Sequence, residues 1–144
     1  MTAAGDAAGF EVRVACEDVV RASFRLIDEG RASAAAELYA AGATLVMEST
    51  DEVRLRGEEI QQAMEQREKQ DRRTVHVVSP SLFRIVDPAL AACESHLQVY
   101  RLDGDRTGPP APRTVSRVHD ELIRDSDGQW RIAARRITVL AGGM

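Results

Sequence analysis

Residues 73–85, RTVHVVSPSLFRI, mark the point at which the hydrophobic pattern of the chain changes. Before this segment, apolar residues recur at the spacing of amphipathic helices, and after it they alternate with polar residues as in strands. Within it, three valines surround His76, which predicts a strand that is apolar on both faces. A buried imidazole needs partners for both nitrogens, so His76 is either a structural core residue or the working group of a site.

The sequence before residue 73 predicts three helices with two short strands between the second and the third. Gly30 is placed to end the first helix in a left-handed cap. Ser33 is a suitable N-cap for the second helix, and Gly42 is its expected stop. The predicted helices cover residues 10–29, 33–39 and 57–70, and the predicted strands cover residues 44–48 and 53–56.

The sequence after residue 73 predicts strands joined mostly by short turns. Asp87-Pro88 and residues 125–128 have turn chemistry, and the proline-rich residues 103–112 form a longer hairpin loop. Helices first and strands afterwards predict an α+β fold in one domain of residues 1–144. A curved antiparallel sheet wrapped around three helices leaves a pocket between them. The predicted strands are residues 74–86, 91–102, 113–124 and 129–140.

Composition excludes several classes of partner. A net charge of -4 and 4% aromatic residues argue against nucleic acid or an anionic membrane as the main partner. No apolar run approaches the roughly 20 residues that span a bilayer. Residues 1–9 lack the pattern of a signal peptide and are expected to form a disordered tail. Cys16 and Cys93 are too few for a disulfide framework, so a cytoplasmic location is expected.

No motif for a cofactor or a metal is present. The sequence has no phosphate-binding glycine loop, and its three histidines lie on separate predicted strands without zinc spacing. Residues 125–128, DSDG, resemble the start of a calcium loop, but the later acidic ligand is missing. We therefore expect neither a metal nor a cofactor.

The histidines differ in their predicted surroundings. His96 shares a strand face with polar residues, and His119 lies where neither face is clearly apolar, which suits a cross-strand polar pair. Asp28 ends the first helix next to its apolar stripe, where the helix dipole disfavours a carboxylate. If Asp28 faces inward, it can pair with His76, fix its tautomer and make it a stronger base.

Four segments together resemble SnoaL-like proteins of the nuclear-transport-factor-2-like superfamily, which includes ketosteroid isomerases and scytalone dehydratase. They are residues 24–48, 56–60, 74–79 and 120–132, and they occur in the family's order. The resemblance implies a cone-shaped α+β barrel, in which a strongly curved antiparallel sheet and three N-terminal helices enclose an apolar pocket. It also implies a homodimer.

The resemblance to the dehydratase-like members implies a catalytic pair, because their pocket aspartate and histidine match Asp28 and His76. Two other positions depart from that pattern. Ile27 stands where those proteins have a pocket tyrosine, and their second histidine falls near Tyr100 or Arg101.

The ketosteroid isomerase pattern fits less well. Its tyrosine falls on Phe24, its base near Glu48 and its second oxyanion donor near Arg117. Without those donors an enolate lacks its usual stabilisation, so steroid-type isomerisation ranks below dehydration or a related proton transfer.

The resulting hypothesis is an enzyme in which His76 and Asp28 perform general acid/base dehydration, isomerisation or cyclisation of an apolar, polyketide-like molecule. Arg117 and His119 are candidates to face a substrate oxygen, although a cross-strand pair suits them equally. The alternative is a non-catalytic binding or assembly subunit that resembles the small subunit of ring-hydroxylating dioxygenases. The other candidate substrate-binding residues, each of which also suits the core, are Phe24, Met47, Glu48, Met64 and Tyr100.

Overall fold

The fold is α+β, with three helices packed against one curved, mostly antiparallel sheet of seven strands. A computed structural model describes residues 3–104 and 107–143. The helices are α1 (Ala3–Asp28), α2 (Ala32–Ala35) and α3 (Glu58–Lys69), and a 3-10 turn (Ala36–Leu38) follows α2. The strands are β1 (Tyr39–Glu48), β2 (Val53–Arg56), β3 (Thr74–Val78), β4 (Leu82–Asp87), β5 (Leu90–Arg101), β6 (Thr114–Arg124) and β7 (Trp130–Gly142).

Helix α1 begins at Ala3, so residues 3–9, which we expected in a disordered tail, belong to the helix. Their alanine-rich sequence explains the difference, because alanine has the highest helix propensity. Met1 and Thr2 of the expected tail lie outside the described residues. The predicted end is confirmed: Gly30 has a φ of 79°, and the backbone N–H groups of Gly30 and Arg31 donate to the carbonyls of Ile27 and Leu26.

The second predicted helix is shorter than expected, and Ser33 is not its cap. Ser33 lies inside α2, where its backbone N–H and its hydroxyl both donate to Glu68 on α3. Tyr39, the last residue of the predicted helix, begins β1 and pairs with Ile132 of β7, and residues 40–43 belong to this strand ahead of its predicted start at residue 44. Gly42, the expected helix stop, has a φ of 71° at the bulge that interrupts this pairing. Sheet pairing overrides the local helix preference here.

The sheet has the order β2-β1-β7-β6-β5-β3, and β4 also pairs with β5. Strands β5, β6 and β7 form the expected antiparallel meander. The predicted curved antiparallel sheet is confirmed, with one exception: the pairing of β1 with β7 is parallel, so the sheet is mostly antiparallel. The long crossover that a parallel pair requires is available, because most of the chain lies between these strands.

The predicted strand at residues 74–86 is two strands, β3 and β4, with a break at Ser79-Pro80-Ser81. Both pair with β5, β3 near its C-terminal end and β4 near its N-terminal end. At the break, the backbone N–H of Ser79 donates to the carbonyl of His96, and the Ser79 hydroxyl accepts from the His96 N–H. Pro80 lacks a backbone N–H and cannot donate to a sheet ladder, which explains why the strand is interrupted here.

The core lies between α1 and the inner face of the sheet, with Cys16, Val20 and Phe24 of α1 packed against buried residues such as Leu122 and Ile132. Trp130 packs against this core. Both cysteines are buried free thiols. In the described part of the chain, no helix combines the length and hydropathy needed to cross a bilayer.

Candidate active site

Asp28 and His76 meet where the end of α1 packs on β3. The Nδ1 atom of His76 lies 2.6 Å from Oδ1 of Asp28, and the backbone N–H of His76 donates to Oδ2 at 2.8 Å. The hydroxyl of Thr74 also donates to Oδ1, at 2.8 Å. One carboxylate thus fixes both the backbone and the ring of His76. The pairing that we expected from the sequence is present in the structure.

The electrostatics of this pair define which nitrogen of His76 is free. Burial opposes ionisation of Asp28, but the hydrogen bonds from His76 and Thr74 outweigh it and hold the pKa of the carboxyl below its usual value. An ionised carboxylate only accepts hydrogen bonds, so in the neutral imidazole the proton belongs on Nδ1. The lone pair is then on Nε2, which has no hydrogen-bond partner among the described residues.

Strand β3 directs His76 to the inside of the molecule. We expected both faces of this strand to be buried, but the face opposite His76 is exposed. Val75 and Val77 are 39% and 47% exposed, while His76 and Val78 point inward. The valines around His76 therefore do not indicate a strand that is buried on both faces. Alternation along β3 directs His76 to the helix side of the sheet.

His76 lines a cavity of about 260 Å³ between the helices and the sheet. The ring of Phe24 stacks on the imidazole, with centroids 5.2 Å apart and planes inclined at 22°. The volume is just below the roughly 300–1,000 Å³ of clefts that hold drug-sized ligands, so this cavity suits a small molecule. The apolar side chains that line it are Phe24, Ile27, Leu45, Met47, Leu55, Ala63, Met64, Leu97, Val99, Ile137 and Val139.

Three of the predicted pocket residues, Phe24, Met47 and Met64, line this cavity. Glu48 and Tyr100 do not, because their neighbours Met47 and Val99 occupy the inward positions of β1 and β5. Glu48 instead pairs with Arg136 and accepts a hydrogen bond from Thr138, and the hydroxyl of Tyr100 donates to Gln98.

Arg117 and His119 also lie away from the cavity, on the exposed face of β6. The buried face of that strand carries Ser116, Val118 and Asp120. They are therefore not placed to face a substrate oxygen in this cavity, because burial alternates along the strand.

The sequence analysis missed a buried polar network beside the cavity. Arg135 of β7 lies directly across from Asp120 of β6, and the exposed fractions of their side chains are 2% and 1%. Its guanidinium donates to both carboxylate oxygens, at 2.7 and 3.1 Å, and to the hydroxyl of Tyr39 at 3.1 Å. The sequence did contain a sign of this network: Asp120 alternates with Val118 and Leu122, which places all three side chains on the buried face of β6.

Arg135 also connects this network to the catalytic candidates. Its guanidinium carbon lies 4.3 Å from the centre of the Phe24 ring, on which His76 stacks. Burial opposes its charge, but the Asp120 carboxylate holds the pKa of Arg135 above its usual value. Burial and Asp120 raise the pKa of Tyr39 despite the nearby guanidinium, so its hydroxyl keeps its proton.

The remaining polar residues of the cavity wall are basic or hydroxylic. Thr74, Thr114 and Ser116 face it, and five arginines line it: Arg67, Arg72, Arg101, Arg113 and Arg135. Within residues 3–104 and 107–143, no cluster of three or more histidine, cysteine, aspartate and glutamate side chains has a geometry suited to a metal ion.

Comparison with known proteins gives one family match and many similar folds. A family model described as a SnoaL-like domain matches residues 9–136. No protein of curated function matches the chain in sequence.

Among solved structures, a nuclear-transport-factor-2-like protein with a cystatin-like fold from Novosphingobium aromaticivorans has a TM-score of 0.78 and 19% identity, over 97% of this chain and 89% of that one. A candidate scytalone dehydratase from the same organism has a TM-score of 0.77 and 18% identity, over 95% of this chain and 89% of that one. ActVI-ORFA from Streptomyces coelicolor has a TM-score of 0.75 and 15% identity, over 92% and 98%. At these identities the likeness concerns the fold alone.

Proposed function

The chain belongs to the SnoaL-like domain family, and we propose that it is an enzyme that dehydrates, isomerises or cyclises a small, polyketide-like carbonyl compound. The observation that carries this proposal is the 2.6 Å contact between His76 Nδ1 and Asp28 Oδ1 at the wall of a cavity. The fold likeness to a candidate scytalone dehydratase supports the same class of chemistry.

In this mechanism, Nε2 of His76 removes a proton from the carbon next to the substrate carbonyl. Asp28 stabilises the imidazolium that forms and keeps the ring in the reactive tautomer. In a dehydration, the imidazolium gives the proton to the departing hydroxyl group, which leaves as water. In an isomerisation, the proton returns to a different carbon. General acid/base catalysis of this kind typically contributes about 10²–10⁴-fold.

The charge that develops on the substrate oxygen requires a hydrogen-bond donor. Tyr39 accepts from Arg135 and retains its own proton, so its hydroxyl can donate into the cavity. Arg135 uses three of its five N–H donors on Asp120 and Tyr39. We assign these two residues to the substrate oxygen, in place of Arg117 and His119. Donors fixed before the reaction stabilise such charge most effectively.

The same geometry favours catalysis over a purely structural subunit. A histidine that serves only packing needs neither a cavity beside it nor an unpaired ring nitrogen. His76 has both, together with a carboxylate partner. The assembly-subunit alternative provides no reason for this arrangement.

We further propose that two copies of the chain associate through the outer face of the sheet near β3. Val75 and Val77 are exposed there, and across from them on β5 lie Tyr100 and Gln98. Exposed apolar side chains that are contiguous on one face are typical of interaction surfaces.

The experiment that tests the catalytic proposal measures proton abstraction without requiring the natural substrate. The purified protein is incubated in deuterium oxide with small bicyclic ketones such as 2-tetralone, and exchange of the proton next to the carbonyl is followed by NMR. We expect exchange above the buffer rate, and a decrease of about 10²–10⁴-fold in His76→Gln.

The matched control is His119→Gln, the same substitution at an exposed histidine outside the cavity, which should exchange like the original protein. Equal exchange in His76→Gln and His119→Gln contradicts the proposal. Absence of exchange above the buffer rate with every ketone also contradicts it.

A further inference from the structure

The cavity wall carries positive charge that the proposed chemistry does not use. Among the described residues, five arginines and no aspartate or glutamate line the cavity, although the whole chain has a net charge of -4. Four of the five lie on segments that meet at one end of the sheet. These are Arg67 on α3, Arg72 in the connection to β3, Arg101 at the end of β5 and Arg113 before β6.

Backbone pairing holds these segments together. Thr74, two residues after Arg72, pairs with Arg101 across β3 and β5. The N–H of Leu102 donates to the carbonyl of Arg73 at 2.8 Å, and the N–H of Arg113 donates to the carbonyl of Val99 at 2.6 Å. Strand register therefore places Arg72, Arg101 and Arg113 on this part of the cavity wall, and Arg67 reaches it from α3.

Only part of this charge is neutralised by the protein. Arg101 forms an ion pair with Asp103 at 2.5 Å, and Arg135 forms one with Asp120. Among the described residues, no carboxylate lies within ion-pair distance of Arg67, Arg72 or Arg113. Within the described part of the chain, the Arg67 guanidinium forms one hydrogen bond, to Thr74 Oγ1 at 3.2 Å.

Arg72 supplies the most specific observation. Its Nε–H is buried and has no hydrogen-bond partner in the described part of the chain. Buried donors are nearly always paired, so a donor of this kind at a cavity wall indicates an acceptor that is not part of the protein. The Arg67 guanidinium reflects the same crowding: burial and the nearby Arg72 and Arg101 lower its pKa, against the opposing effect of Asp28 and Asp103.

We propose that the molecule bound in this cavity is an anion, with an oxyanion group held by Arg72, Arg67 and Arg113 and an apolar body against Phe24 and the aliphatic wall. A carboxylate and a phosphate share this chemistry, because both match the planar fork of a guanidinium. As a statement about the substrate, this inference rests on the proposed function. The oxyanion anchors one end of the molecule, while a carbon elsewhere in its body is presented to Nε2 of His76.

The test is a set of binding measurements by calorimetry, which do not depend on turnover. The ligands are 2-naphthoate, 2-naphthyl phosphate and the neutral 2-naphthamide. We expect at least one of the two anions to bind about tenfold or more tightly than the amide, as one charge-assisted hydrogen bond allows. The anion that is preferred distinguishes a carboxylate from a phosphate.

Substitutions locate the anion site. Arg72→Gln should lower the affinity for the preferred anion by about tenfold and leave the amide unaffected. Arg113→Gln should act in the same direction, and because Arg113 is exposed its substitution leaves the fold intact. The control is Arg117→Gln, which removes the same charge from the exposed face of β6 and should change no affinity.

Equal binding of both anions and the amide, or failure of all three to bind, overturns the inference. Loss of anion affinity that is the same in Arg72→Gln, Arg113→Gln and Arg117→Gln also overturns it. His76→Gln should retain the preference for the anion. Anion binding can therefore be confirmed even if His76 proves not to be a base, and the two proposals can fail separately.

Discussion

At the scale of single residues, Asp28 occupies a position that is unfavourable by itself. A carboxylate at the C-terminal end of a helix faces the partial negative charge of the last carbonyl groups. It remains ionised because Thr74 and His76 donate hydrogen bonds to it. The interaction of Asp28 with its own helix is thus unfavourable, and only contacts with β3 offset it. Such a local conflict is typical of a functional position.

This compensation makes the stability of the protein depend on pH. The pKa of Asp28 is lower in the folded protein than its ordinary value near 4, so its stabilising contribution is fully present above that pH. It is lost as the pH falls through the lowered pKa of the folded state. Asp28→Asn should therefore reduce the free energy of unfolding by about 1–3 kcal/mol at pH 7 and by less at pH 2–3.

Urea denaturation between pH 2 and pH 7 measures this difference. Asp18→Asn is the control, because Asp18 lies on the exposed side of the same helix and its substitution removes the same charge. A loss of stability in Asp28→Asn that is equal at pH 7 and pH 2 disagrees with the prediction.

The two cysteines are also defined by their surroundings. Burial raises the pKa of both Cys16 and Cys93 to about 12, and neighbouring carboxylates add to the effect. Because the thiolate is the reactive form, neither thiol should react with a disulfide reagent at pH 8 in the folded protein. After unfolding in guanidinium chloride, both should react. Rapid modification of either cysteine before unfolding contradicts this prediction.

At the scale of secondary-structure elements, the Arg135–Asp120 pair joins β7 to β6, and the bond to Tyr39 extends the connection to β1. Removal of one member leaves a buried charge without a partner, which typically costs about 3–5 kcal/mol. We expect a loss of this size in the free energy of unfolding for Asp120→Asn, measured by urea denaturation.

The double variant Asp120→Leu with Arg135→Met should recover most of this loss, because it replaces the ion pair by apolar groups of similar volume. Glu121→Gln is the matched control on the exposed face of the same strand and should change stability by about 0.5 kcal/mol or less. If Asp120→Asn is as stable as Glu121→Gln, the pair does not hold these strands together.

The secondary structure was predicted correctly where one hydrophobic periodicity dominated the local sequence. It was predicted wrongly where pairing with a distant strand determined the conformation. Helix α1 and strands β5–β7 follow their own apolar patterns. Residues 39–43 have helix-forming composition but join the sheet through a bulge at Gly42 and a parallel partner 93 residues away, Ile132 opposite Tyr39. On β6, Ser116 and Asp120 face inward because they border a cavity and a buried arginine, so hydrophobicity alone could not show the buried face.

At the scale of the whole molecule, the fold and the contact between Asp28 and His76 were predictable, but the charge of the cavity was not. Asp28 and His76 each lie in a segment that resembles the family, so the family's geometry brought them together. The arginines come from α3, a connection and two strand ends, and each one in isolation suits a solvent-exposed surface. Only the tertiary structure places them around one cavity.

The outer face of the sheet leads to the last prediction, which concerns assembly. Val75 and Val77 are exposed beside Tyr100, whereas the inner side of the same strand holds His76. Burial of such a face in a two-fold interface removes apolar surface from water and leaves the cavity accessible. We expect the protein to sediment as a dimer in analytical ultracentrifugation, and Val75→Asp combined with Val77→Asp to shift it to monomer.

Val53→Asp is the control, since Val53 is also exposed but belongs to β2, at the opposite end of the strand order. It should sediment as the original protein does. The exchange assay applied to the monomeric variant then shows whether the cavity works without a partner. We expect it to do so, because Asp28, His76, Tyr39 and Arg135 all belong to one chain. A monomeric original protein, or a double variant that remains dimeric, rules out this interface.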